Sequence, residues 1–167
     1  MRTLYFLRHA NSPVTAPSIA DDERPLDKRG RQDSEAMGIY CQKAKIFPQL
    51  ILCSTATRTR ETLTLVQPYL NQDFTVDFDA ALYLASAATM HTHIQAVSPT
   101  ISSLMLIGHN PGIQALASLL AGVDECGDAQ NMRMGFPTSA LAEIRVDVDS
   151  WEAVEAQSGR LIRFITP

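Results

Sequence analysis

Apolar positions along this chain follow two alternating periods. Thr3–Leu7, Leu50–Cys53 and Ser103–Ile107 are short, continuous apolar runs. Such runs predict strands buried on both faces of a parallel sheet. Phe74–Phe78 alternates apolar and polar residues and predicts an edge strand. Ala140–Val148 alternates through Leu141, Ile144, Val146 and Val148, and Leu161–Ile165 is its expected neighbour. The last two lie close enough in sequence to pair antiparallel. Helical spacing fills the intervals. Asp27 is the expected N-cap of a helix running to about Ile46, with Met37, Tyr40, Cys41 and Ala44 on one face. Gly30 in its first turn weakens the helix slightly and permits a close backbone approach. Ser54–Thr57 opens a second helix whose core face is Leu63, Val66 and Leu70, limited by Pro68. Ser86 caps a third that carries Met90, Ile94 and Val97 inward and ends at Ser98-Pro99. Ile113, Leu116, Ala117 and Leu120 define a fourth, with Gly122 as its expected C′ residue. Residues 123–138 show no period, are rich in glycine, and read as an irregular segment, a candidate mobile lid.

This order predicts an α/β protein: a three-layer α/β/α sandwich with a mostly parallel central sheet and an antiparallel edge. At 167 residues the chain is expected to form a single domain over 1–167. A composition of 46% hydrophobic and 19% charged residues is ordinary for a globular protein. The formal net charge of −4 argues against nucleic acid or an anionic membrane as a partner, yet leaves room for an anionic substrate held by a few clustered arginines. No apolar run is long enough to span a bilayer or form a signal-peptide core, so the expected location is the cytoplasm. Cys41, Cys53 and Cys126 have no paired metal spacing and read as small core hydrophobes in a reducing compartment.

Chemistry enters at the strand ends, where open α/β sheets bind their ligands. The first strand runs into Arg8-His9-Ala10-Asn11, the second into a stretch containing Arg58, and the Ser103–Ile107 strand into Gly108-His109-Asn110-Pro111. An Arg-His pair after a strand is common and carries little alone. Two imidazoles and two guanidiniums at three such ends fit a phosphoryl group. Arg8 and Arg58 suit its non-bridging oxygens, one imidazole suits attack on phosphorus, and the other suits donation to an equatorial oxygen. The helix N-termini that follow add N–H donors.

Leu7-Arg8-His9-Ala10, the stretch Asp22-Glu23-Arg24-Pro25-Leu26-Asp27-Lys28-Arg29-Gly30-Arg31, Ser54–Thr62, and Ile107-Gly108-His109-Asn110-Pro111 together resemble the motifs of the histidine phosphatase superfamily. The resemblance is closer to its small SixA-type phosphohistidine phosphatases, and Phe136–Ala140 adds to it. It covers nearly the whole chain. It implies a phosphoglycerate-mutase-like fold, no cofactor and no metal, and a covalent phosphohistidine intermediate. His9 would be the residue phosphorylated, Arg8 and Arg58 the phosphoryl clamp, and His109 the stabiliser from the far side. Asn11 is a further candidate phosphate ligand. Two departures stand out. Ala10 occupies a position where the superfamily usually has glycine, and no acid aligns after the third strand. Asp79, Asp21 and Asp22 are the candidates for that acid. Imidazole departs from phosphorus more easily than an alkoxide, so a missing acid suits a P–N hydrolase.

Other chemistry-bearing residues read as structural. His91 and His93 are expected at or near the surface, Arg60 beside a carboxylate, and Trp151 in packing. Asn11 and Ser12 fit loop capping as well as phosphate, and Arg24 is placed to hold its loop near the pocket. Three functions compete. The first is a metal-independent phosphatase acting on phosphohistidine of a signalling protein, such as a histidine phosphotransfer domain. The second acts on a small phosphorylated metabolite, and the third is a non-catalytic phosphate-binding module.

Overall fold

A computed structural model describes residues 1–14, 18–70 and 73–167. Seven strands form one sheet: β1 (Arg2–Arg8), β2 (Leu50–Ser54), β3 (Thr75–Asp79), β4 (Ser103–Gly108), β5 (Ala121–Asp124), β6 (Leu141–Val146) and β7 (Gly159–Ile165), in the order β3-β2-β4-β1-β6-β7-β5. The first four run parallel. β6 opposes both β1 and β7, and β5 lies parallel to β7 at the far edge. β3 is the other edge, as its alternation predicts.

Period-two patterning sends successive side chains to opposite layers. Tyr5, Leu7, Ile51, Cys53, Met105 and Ile107 pack with Met37 and Cys41 of α1 (Lys28–Lys43) and with Leu63 and Val66 of α2 (Thr57–Val66). On the other face, Leu4, Phe6, Leu52, Leu104 and Leu106 pack with α3 (Ala87–Gln95), α4 (Gly112–Leu120) and α5 (Ala129–Met134). Each fully buried Leu, Ile or Phe contributes about 1.5–3 kcal/mol of transfer free energy.

The topology places the site. β1 and β4 are neighbours, but α1 leaves β1 toward one face and α4 leaves β4 toward the other. A crevice opens where the connections part, beyond the carboxyl ends of the strands. Asp27 caps α1 by accepting from the Gly30 N–H at 2.7 Å. Gly30 is required there because a Cβ would lie 2.2 Å from the Asn11 carbonyl oxygen. The helix is thus pressed onto the loop that follows β1.

Several sequence expectations need correction. Gly122 is not a helix cap. It sits inside β5 at a register break, where a Cβ would come within 2.0 Å of the Gln157 carbonyl oxygen. Residues 123–138 are not irregular: they hold the end of β5 and all of α5, joined by a turn in which the Asp124 carboxylate accepts from the N–H groups of Gly127 and Ala129. α1 stops at Lys43, short of Ile46, with Lys45 in a left-handed conformation. α3 ends at Gln95, before Val97. Cys41 and Cys53 are buried, but Cys126 is exposed and no core hydrophobe.

Candidate active site

At the switch point lies a cavity of about 390 Å³ lined by Arg8, His9, Arg24, Arg58, His109 and Asp21, among others. The rings of His9 and His109 are 5.1 Å apart between centroids. The junctions after β1, β4 and β2 therefore do converge, and Arg58 comes from the first turn of α2, 1% exposed.

His9 is held on several sides. Its main-chain N–H donates to the Gly108 carbonyl and its own carbonyl accepts from the Ser139 N–H. Its Nδ1 is 2.8 Å from the Ala10 carbonyl oxygen. A carbonyl only accepts, so Nδ1 carries the hydrogen and the Nε2 lone pair is left free. The Ala10 N–H donates to Thr62 Oγ1 at 3.0 Å. Among the described residues, positive φ outside glycine occurs at Lys45, Leu84, Ser139 and Gln157, so Ala10 needs no glycine conformation. His109 Nε2 lies 2.9 Å from Ser54 Oγ, and its Nδ1 is buried without a partner. Ser54 Oγ also accepts from the Ala56 N–H. A Ser54 hydroxyl that donates to His109 Nε2 leaves the hydrogen of a neutral His109 on Nδ1.

Electrostatics keep both imidazoles neutral. Burial, and then the Arg58, Arg8 and Arg24 guanidiniums, push His9 down to about 4 against the opposing bond to Ala10. Burial, His9 and Arg58 push His109 to about 3. Arg8 donates through Nη1 to the Phe136 carbonyl at 2.9 Å, while the Nε atoms of Arg8 and Arg58 are buried without partners. Such orphaned donors are what an oxyanion would satisfy.

The candidate acids separate cleanly. Asp79 lies away from the pocket: it caps the 3-10 turn Ala80–Leu82 through the Ala81 N–H and pairs with His93 Nε2 at 2.9 Å. Asp22 is exposed and lines no part of the pocket. Asp21 does reach the pocket, but as an ion. Hydrogen bonding from Tyr83, with Arg58 and Arg24 nearby, holds its carboxyl down at about 2. Asn11 is on the pocket wall with its amide committed to Asp27 Oδ2 at 2.7 Å. Ser12 Oγ caps the loop at the Arg24 and Pro25 carbonyls. Arg24 does hold that loop at the pocket, through Asp21 and the Ser12 carbonyl. Arg60 stacks over the Phe78 ring instead of meeting a carboxylate. His91 and His93 are half-buried, and Trp151 is fully packed.

Tyr83 escaped the sequence reading. Its ring stands edge-on to His109 at 5.4 Å and under the Arg58 guanidinium at 5.7 Å, and its hydroxyl donates to Asp21 Oδ2. A lone aromatic after an edge strand carries no periodic signal that singles it out.

No protein-family model matches the chain. It is 33% identical over 165 residues to an uncharacterized protein of Mycobacterium leprae, across 96% of this chain and 99% of that one. Among solved structures, a candidate phosphohistidine phosphatase SixA from Agrobacterium tumefaciens superposes with a TM-score of 0.84 at 31% identity, covering 99% of this chain and 98% of its own. The protein histidine phosphatase SixA complexed with tungstate shares the fold, with a TM-score of 0.78 at 22% identity over 98% of this chain and 96% of its own. Sheet order, paired imidazoles and these likenesses agree on an α/β phosphatase. The chain belongs to the histidine phosphatase superfamily, on the side of its SixA-type members. That membership, with His9 and His109 facing each other, supports the two phosphatase readings over the non-catalytic binding module. No helix among the described residues is long and apolar enough to cross a membrane.

Proposed function

We propose that the protein hydrolyses phosphohistidine on another protein, through a phosphoryl group carried on His9 and without a metal. His9 Nε2 attacks phosphorus while the P–N bond to the substrate ring breaks and its electron pair stays on that ring. A substrate imidazole protonated at its distal nitrogen leaves as a neutral ring, so the leaving group needs no added proton. Arg8 and Arg58 hold the non-bridging oxygens and His109 donates from Nδ1. Water then attacks the phosphoryl group on His9. The P–N bond breaks back to Nε2, the water proton goes to phosphate or solvent, and neutral His9 is restored. Nucleophile and leaving group are the same chemical group, which makes the first transfer nearly balanced.

One observation carries the choice of a P–N substrate. Among the described residues lining the pocket, Asp21 is the sole carboxylate, and it is held ionised. An alkoxide leaving group would find no carboxylic acid to protonate it. The names of the SixA neighbours point the same way. A histidine phosphotransfer domain is the kind of partner this chemistry fits.

The test is a substrate panel in chelator-treated buffer. A phosphohistidine peptide should exceed an alkyl phosphate in kcat/KM by about a hundredfold or more, the scale of a missing acid. Equal rates on both would assign the protein to small phosphomonoesters instead. His9→Ala should abolish the acid-labile phosphoenzyme.

A further inference from the structure

Asp21 has no part in the steps above, yet it occupies the clamp. We propose that Asp21 is a resident counter-anion of Arg58 which the incoming phosphoryl group displaces, and that it restricts the pocket to donors whose leaving group carries no further negative charge. The second half rests on the phosphohistidine reading and narrows its substrate class.

Arg58 is buried, and both of its terminal nitrogens are already engaged by one residue. Nη1 donates to the Asp21 carbonyl at 2.5 Å and Nη2 to Asp21 Oδ2 at 3.0 Å. A phosphoryl oxygen approaching that fork meets a carboxylate. The carboxylate can yield without leaving the rim. Arg24 grips Oδ1 through Nε at 3.0 Å and Nη2 at 2.8 Å, and Tyr83 donates to Oδ2. Arg24 is in turn anchored on the Ser12 carbonyl at 2.6 Å. Asp21 belongs to the 3-10 turn Asp21–Glu23, which buries none of its residues, so a small shift of the turn displaces little packing.

Charge decides what fits beside it. Arg8, Arg24 and Arg58 line the pocket with Asp21, and His9 and His109 are neutral, leaving two net positive charges there. A dianionic phosphoryl group matches them. A second carboxylate or phosphate on the substrate would meet Asp21 with Asp22 and Glu23 exposed on the same turn. The distal N–H of a phosphoimidazole ring instead finds an acceptor. After turnover, the returning carboxylate competes with inorganic phosphate for Arg58 and favours its release.

Titration calorimetry with inorganic phosphate and with tungstate tests the counter-anion without any substrate. Asp21→Asn should bind both about tenfold more tightly, the scale of one screened unit charge at the pocket wall. Tyr83→Phe, which loosens the same carboxylate, should move affinity the same way by less. The kcat/KM ratio of phosphoimidazole over 3-phosphoglycerate should fall about tenfold in Asp21→Asn, again the scale of one unit charge. Unchanged or weaker anion binding by Asp21→Asn would overturn the proposal, as would an unchanged substrate ratio for its selective half. Wild-type protein inert toward phosphoimidazole would sink the phosphohistidine reading, while the anion affinities would still decide the counter-anion.

Discussion

In the folded protein His9 takes up a proton only near pH 4, because burial and then the guanidiniums of Arg58, Arg8 and Arg24 disfavour its cation. In the unfolded chain the same imidazole titrates near 6.5. Between those values the unfolded state binds the extra proton, so stability rises with pH and is lost as pH falls through that window. Each pH unit of separation is worth about 1.4 kcal/mol. At pH 4.5 the loss traceable to His9 is about 2.5 kcal/mol, and it levels off at about 3.4 kcal/mol well below pH 4. His9 is 8% exposed, so solvent screening removes little of this. Urea unfolding at pH 7.5 and 4.5 of the wild type and of His9→Asn, which does not titrate, isolates the effect, since the carboxylates common to both proteins cancel. The wild type should lose about 2.5 kcal/mol more than the variant on acidification. Relief of His109, whose own depression includes His9, enlarges the difference. Equal losses would refute the claim that the pocket disfavours a charged imidazole. With it would go the argument that Nε2 stays unprotonated across neutral pH.

Three further changes probe the frame of the pocket. Gly30→Ala forces a Cβ against the Asn11 carbonyl and should cost at least about 2 kcal/mol, read as a lower thermal midpoint; a wild-type midpoint would mean α1 does not brace the loop after His9. Ser54→Ala removes the partner of His109 Nε2 and frees the ring's tautomer, so kcat should drop about tenfold while KM holds, a loss of about 1.4 kcal/mol in the transition state. A change confined to KM would place His109 outside the chemistry. Glu143→Gln deprives Arg145 and Arg163 of a buried carboxylate that both contact, at 2.8 and 2.7 Å, and should cost about 2 kcal/mol in chemical unfolding with activity retained. A neutral outcome would show that solvent at the half-exposed arginines compensates.

Local pattern carried the sequence reading where neighbours in the chain are also neighbours in space. The buried runs at Leu4–Leu7, Ile51–Cys53 and Leu104–Ile107 announce central strands because both faces of each are covered. Asp27 and Ser86 announce helix starts because a cap acts within one turn, and both side chains do accept the expected N–H bonds. The basic and imidazole side chains at the strand ends follow from the same logic. β5 and α5 escaped because a four-residue strand with three exposed positions and a six-residue helix are too short to display a period. Gly122 misled because glycine ends helices and admits close backbone approach alike, and only the position of Gln157 separates the two.

The sequence by itself determined the fold class, the order of most elements and the identity of the reactive side chains. Tertiary structure alone decided that β1 and β4 lie side by side, bringing His9 to His109 across a hundred residues. It also assigned the carboxylates: Asp79 went to His93, and Asp21 to Arg58 and Tyr83. Periodicity is a property of consecutive residues, whereas proton affinity and ion pairing depend on burial and on charges a few ångströms away, whatever their distance along the chain.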